Sequence, residues 1–161
     1  RSDPLTLDII PFDLPDQPAE VWRRGDVRVL AGQVRHEPVH PAVGFRVETP
    51  DGIVTITGDT LVCDEVAALA AGADVLVYEA MRFERIRQRP PHLQFILDYH
   101  ADTPRIRAQA AELGVPILVL THLIPPPESD DDVQAFVDDI RTAGYAGKLV
   151  VAEDLSQVTL G

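Results

Sequence analysis

The chain has 161 residues, 45% of them hydrophobic and 25% charged, which excludes a low-complexity polymer and gives enough length to bury roughly 70% of the unfolded surface in one domain. Its 26 acidic residues outnumber the 14 basic ones for a net charge of −12, which argues against broad nucleic-acid binding, because that rests on clustered positive charge neutralising phosphates. No apolar run approaches the roughly 20 residues needed to cross a bilayer, and no basic-then-apolar leader opens the sequence, so a cytoplasmic protein without membrane contact is expected. Cys63 is the only cysteine, so an internal disulfide is impossible and a buried thiol in a reducing compartment is the expected reading.

Taken in chain order, the first fifty residues read as strands. Leu5 to Ile10, Ala19 to Arg24, Val27 to Val34 and Val43 to Glu48 are β-branched or alternating runs separated by proline and glycine. Pro50-Asp51-Gly52 is a turn, since proline presets one dihedral and glycine accepts positive φ, and it predicts a hairpin with Ile53 to Thr57. Beyond it, helix and strand signals alternate, the mark of an α/β layered domain. Val62 to Ala71 predicts a helix ended by Gly72, and Asp74 to Tyr78 a buried strand. Leu93 to Tyr99 and Pro104 to Leu113 read as helices, the second with Pro104 tolerated in its first turn. Ile117 to Leu120 is a strand, Asp131 to Ala143 a helix that Ser129 caps and Gly144 ends, and Leu149 to Ala152 and Gln157 to Leu160 are closing strands. The acidic run Glu128 to Asp132 suits a helix N-terminus, where negative charge offsets the dipole. The arginines Arg82, Arg85, Arg87 and Arg89 form the one basic cluster; it reads as a solvated helix face or as a local attractor for an anion.

Three residues at strand ends carry ligand chemistry. Asp59 follows the apolar run Ile53-Val54-Thr55-Ile56 within Thr57-Gly58-Asp59-Thr60, His36 ends an upstream strand, and His122 ends the run Ile117 to Thr121. Zinc-type ions take oxygen and nitrogen ligands at fixed short distances, which rigid strand ends hold better than loops, and ligands gather at the carboxyl ends of parallel strands. Each residue also has an ordinary reading: a structural histidine for His36, a capping carboxylate for Asp59. His100 lies between the apolar stretch Phe95-Ile96-Leu97 and the helix start Ala101-Asp102-Thr103-Pro104, where it either caps the first helix or works as a general acid near neutral pH. His40 and His92 sit among prolines and read as surface residues.

On these residues the sequence resembles the metallo-β-lactamase fold, in the tRNase Z-like branch of metal-dependent hydrolases, over about residues 20 to 160. The resemblance rests on Val34-Arg35-His36-Glu37-Pro38-Val39, Pro41-Ala42-Val43-Gly44-Phe45-Arg46-Val47-Glu48, Thr57-Gly58-Asp59-Thr60, Leu76-Val77-Tyr78-Glu79-Ala80, Asp98-Tyr99-His100 and Leu120-Thr121-His122. It implies that His36 binds a first metal, His122 a second, Asp59 bridges both, and His100 contacts the scissile group as a catalytic residue. Two zinc ions are the implied cofactor, with manganese as a substitute. The family's His-x-His-x-Asp-His segment does not occur in these residues, and Ala101-Asp102-Thr103 replaces the usual run after the catalytic histidine. The expectation is therefore the C-terminal portion of a four-layer αββα fold, a single incomplete domain spanning 1–161 with a mixed sheet flanked by helices, and inactive by itself.

The expected activity of the intact parent is hydrolysis of a small-molecule phosphodiester, ester or related bond by metal-activated water. A tRNA 3′-processing endonuclease is the alternative, disfavoured here by the acidic charge and the lack of a lysine-rich insertion, and a non-catalytic association module is a third reading. Apolar strands left without a partner sheet predict a homo-oligomer.

Overall fold

The computed structural model describes residues 9–142 and 144–160. Seven strands form one mixed sheet in the order β1-β2-β3-β4-β5-β6-β7. β1 (Ala19–Arg24), β2 (Val27–Gln33), β3 (Val43–Thr49) and β4 (Gly52–Ile56) pair antiparallel, whereas β5 (Val75–Met81), β6 (Ile117–Ile124) and β7 (Lys148–Val151) continue from β4 in parallel. The predicted hairpin is β3–β4, with Thr49 opposite Gly52. The expected α/β class with a mixed sheet flanked by helices is what the chain adopts.

The parallel half is built by three crossovers, through α1 (Asp64–Ala70), through α2 (Phe83–Arg87), the 3₁₀ helix Pro91–Asp98 and α3 (Thr103–Glu112), and through α4 (Asp130–Arg141). Each moves one strand further along the sheet in the same direction, and crossovers of one hand then place every helix on the same face. The core follows from this: Val66 and Ala70 of α1, Ile106 and Ala110 of α3, and Phe136 and Ile140 of α4 cluster on Leu76, Tyr78, Leu118 and Leu120. The alternate residues of the same strands form a second cluster on the other face, Val75, Ile117 and Val119 with Val54, Val77 and Val150 packed against them. A strand with both faces apolar is what the continuous runs of β5 and β6 specify.

Differences from the sequence expectations are local. Gln157 to Leu160 alternates as foreseen but forms no strand; Val158 and Leu160 fold back onto the second cluster. Alternation reports which side chains are buried, not whether the backbone finds a ladder. The helix expected over Leu93 to Tyr99 is a 3₁₀ helix, Pro91–Asp98, and α2 before it carries Arg85 and Arg87 of the cluster that reads as a helix face. Of Leu5 to Ile10, residues up to 8 lie outside the described ones, and Ile9 and Ile10 are exposed and outside any strand. The helix of the acidic run starts as predicted, with Ser129 Oγ accepting from Asp132 N. Cys63 is buried and free, and no described helix is long and apolar enough to cross a membrane.

Candidate metal centre

Strand direction brings the ligand-type residues to one edge. β2 and β4 both run antiparallel to β3, so they point the same way as β5 and β6, and the carboxyl ends of all four strands lie on the same side of the sheet. His36 follows β2, Asp59 follows β4, Glu79 lies near the end of β5, and His122 lies near the end of β6.

Each turn is held by specific contacts. Gly58 takes φ of +64°, and a Cβ there would stand 3.0 Å from the Val43 carbonyl oxygen, so the turn that delivers Asp59 favours glycine on two grounds. Thr57 N donates to Val77 O (3.0 Å), fixing the start of the turn to β5. The turn is also tied to the residue before His36: Arg35 N donates to Thr60 Oγ1 (3.0 Å) and Leu61 N to Arg35 O (2.7 Å). On β6 the register with β5 slips, Glu79 facing Thr121 but Ala80 facing Leu123. His122 is the extra residue, at φ of +44°, a left-handed conformation that costs energy for a side chain with a Cβ. The bulge turns His122 out of the strand alternation and towards Asp59.

The outcome is a group of three: ligand atoms of Asp59, His100 and His122 lie within 4.8 Å of one another. Asp59 Oδ2 and His122 Nε2 are 3.4 Å apart, and both side chains are about half exposed. His100 is buried, its ring 5.7 Å from that of His122. His36 stands outside the group of three but beside it, its ring 5.0 Å from that of His100. Its Nδ1 is 2.9 Å from Tyr99 O. A carbonyl only accepts, so Nδ1 carries the proton of that bond and Nε2 is the nitrogen left for another partner.

Glu79 is the residue sequence reading did not single out. It is buried in β5, and its Oε1 accepts from Thr60 N (3.2 Å), Ala101 N (2.9 Å) and His100 Nδ1 (3.0 Å). One oxygen thus ties the Asp59 turn to the His100 junction and leaves His100 Nε2 outside that contact. A charged residue inside the run Leu76-Val77-Tyr78-Glu79-Ala80 was the available signal, since a buried carboxylate demands donors. The junction after His100 has its own ties: Asp102 Oδ1 accepts from Phe83 N (3.3 Å), and Thr103 Oγ1 donates to Asp139 Oδ2 (2.8 Å). Burial pushes the Asp102 carboxyl up from its ordinary value. His40 and His92 take no part and are exposed.

A carboxylate and two imidazoles at this separation are a donor set suited to a borderline cation such as zinc or manganese.

No protein-family model matches the chain. Ribonuclease Z of Mycobacterium tuberculosis (strain H37Rv) is 34% identical over 140 residues, covering 85% of this chain and 50% of that protein. Ribonuclease Z of Mycolicibacterium gilvum is 34% identical over 141 residues, covering 86% and 48%. The chain thus spans about half the length of these curated relatives. Among solved structures, a metallo-β-lactamase fold protein from Bacillus subtilis superposes with a TM-score of 0.62 at 21% identity, over 88% of this chain and 52% of that one. The short form of human tRNase Z gives a TM-score of 0.57 at 21% identity, over 91% and 47%. Proteins of this fold imply bound metal ions, which the donor set above suits.

These relatives overturn the expectation of a small-molecule substrate with nucleic acid unlikely, because the proteins alike in sequence are ribonucleases. The net charge misled because it sums the whole chain, whereas contact with a polyanion depends on the local field. By sequence and fold together, the chain has a metallo-β-lactamase fold and is similar to the tRNase Z-like branch over about half the length of those proteins.

Proposed function

We propose that this chain contributes Asp59, His100 and His122, with His36 beside them, to the metal centre of a phosphodiesterase that cleaves RNA, with precursor tRNA 3′ ends as the substrate class. The observation that carries the reading is the convergence of those three side chains within 4.8 Å in a chain 34% identical to mycobacterial ribonuclease Z. Zinc, or manganese in its place, supplies Lewis acidity towards the phosphoryl oxygens and lowers the pKa of water. Asp59, half exposed with its Oδ2 3.4 Å from His122 Nε2, would be the ligand shared by two ions, with His36 and His122 contributed from the ends of β2 and β6. A two-metal centre needs about six or seven protein ligands, more than the described residues bring together.

His100 is assigned the proton. Glu79 accepts from Nδ1–H, so a ring protonated at both nitrogens would hold its second proton on Nε2 and could give it to the leaving ribose oxygen, returning to the neutral Nδ1–H form. The 4.8 Å grouping favours a second reading, in which His100 Nε2 is itself a metal ligand. One nitrogen cannot do both at once.

The test uses the chain together with the complementary half of the fold, assayed on a precursor tRNA with a 3′ extension. Asp59→Asn removes a charged ligand, and metal content and turnover fall in parallel; full metal with full activity would overturn the assignment. His100→Ala keeps the metals and loses roughly 10²- to 10⁴-fold in turnover if the ring is the proton donor. Loss of metal in that variant selects the ligand reading instead.

A further inference from the structure

Between Ala80 and His100 the chain leaves the sheet edge beside the metal centre and returns to it. Arg82 N donates to Ile124 O (2.9 Å) where it leaves, and His100 is buried where it returns. The stretch between differs in charge from the rest of the molecule: residues 82–97 hold four of the 14 basic residues and one of the 26 acidic ones. Arg82 is engaged by Asp139 at 2.8 Å. Arg85, Arg87 and Arg89 are exposed, and none of them has an ion-pair partner within 4.0 Å among the described residues.

The same stretch presents apolar surface. Phe95 is 57% exposed and Leu93 43%. Phe95 begins a succession of aromatic rings that reaches the candidate metal centre: 6.0 Å to Tyr99, 4.9 Å from Tyr99 to His100, and 5.7 Å from His100 to His122. The rings and the arginines are held in one frame, because Gln94 Nε2 donates to the carbonyls of Arg87 (3.0 Å) and Arg89 (2.8 Å). Arginines without an acidic partner, Arg87 lying over the Phe83 ring at 5.6 Å, beside an exposed ring for a base on the same braced backbone are the two elements that bind single-stranded nucleic acid irrespective of sequence.

We propose that residues 82–99 form a docking surface for single-stranded RNA, with a base stacked on Phe95 and the backbone along Arg85, Arg87 and Arg89, guiding the strand to the metal centre. The proposal rests on the RNA reading above and adds the place where the strand lies. Charge complementarity selects this occupant in a chain that is otherwise strongly acidic, and the ring succession selects unpaired bases over a duplex, whose bases are stacked on each other.

The test measures binding of the full chain to a fluorescent single-stranded RNA 12-mer and to the same sequence as a duplex, in chelator so that no cleavage intervenes. The single strand should bind more tightly than the duplex. Phe95→Ala should weaken single-strand binding by about 5- to 100-fold. Arg85, Arg87 and Arg89 changed together to Gln should reduce the slope of log affinity against log salt by about 2. All four side chains are exposed, so these changes leave the core intact, which thermal unfolding checks. Wild-type affinity and salt slope in both variants, or equal binding of duplex and single strand, would overturn the surface. If the surface variants behave as expected while the reassembled protein cleaves no RNA, the docking proposal stands and the hydrolase reading falls; cleavage with no effect of the variants gives the reverse.

Discussion

Glu79 shows how much one buried side chain decides at this centre. It is 1% exposed, and its Oε1 satisfies three donors from two separate segments, while Oε2 has no partner among the described residues. Removing the acceptor leaves buried N–H groups unmade, which costs more than a hydrogen bond contributes. Glu79→Ala is therefore expected to lose on the order of 3 kcal/mol in denaturant unfolding, and Glu79→Gln, which retains an acceptor oxygen, less than half of that. Equal stability of Glu79→Ala and wild type would show that the two segments are held by other means. His122 carries its function in the backbone instead: the left-handed φ at the bulge directs the imidazole, and nothing in Leu120-Thr121-His122 announces a register slip.

Within the sheet, the antiparallel half is stabilised by cross-strand charge. Glu48 on β3 lies directly opposite Arg28 on β2, and Arg46 stands two residues away on the same face. Arg28 first, and then Arg46 (2.6 Å), donate to the Glu48 carboxylate and hold it below the usual carboxylate range. A folded-state pKa below the unfolded one means stabilisation that is present above the unfolded value and is lost as pH falls through the folded one. Glu48→Gln is accordingly expected to be about 1 kcal/mol less stable than wild type at pH 7. The gap should close as pH falls below the ordinary glutamate value of 4.5, which thermal melts from pH 7 to pH 3 would read. A gap constant across that range would remove the ion pairs as its cause. Helix boundaries were legible where a chemical stop was written: Ser129 caps α4, and Pro104 lies in the first turn of α3. The stretch 82–99 was less legible, because Pro90-Pro91 and a single apolar turn specify a start but not whether the coil closes as α or 3₁₀.

For the molecule as a whole, three grouped ligand atoms with His36 beside them fall short of the four that hold a zinc ion tightly. Elemental analysis of the dialysed chain should find fewer than about one zinc per molecule, and about two retained would mean that ligands beyond these residues take part. Composition and periodicity determined a good deal here. Nearly every strand of the sheet could be read from β-branched alternation between proline and glycine breaks, and His36, Asp59 and His122 stood out because ligand-type residues followed apolar runs. Those are local signals, set by what each segment must bury. Which of them meet is a property of strand order and direction: the double reversal through β3 turns His36 to the same edge as Asp59, and parallel pairing brings β6 beside β5. The inclusion of His100 in the group, the part played by Glu79 and the alignment of the exposed arginines with Phe95 likewise depend on contacts between residues far apart in the chain. Only the tertiary structure decided them, because no spacing along a sequence encodes a distance across a sheet.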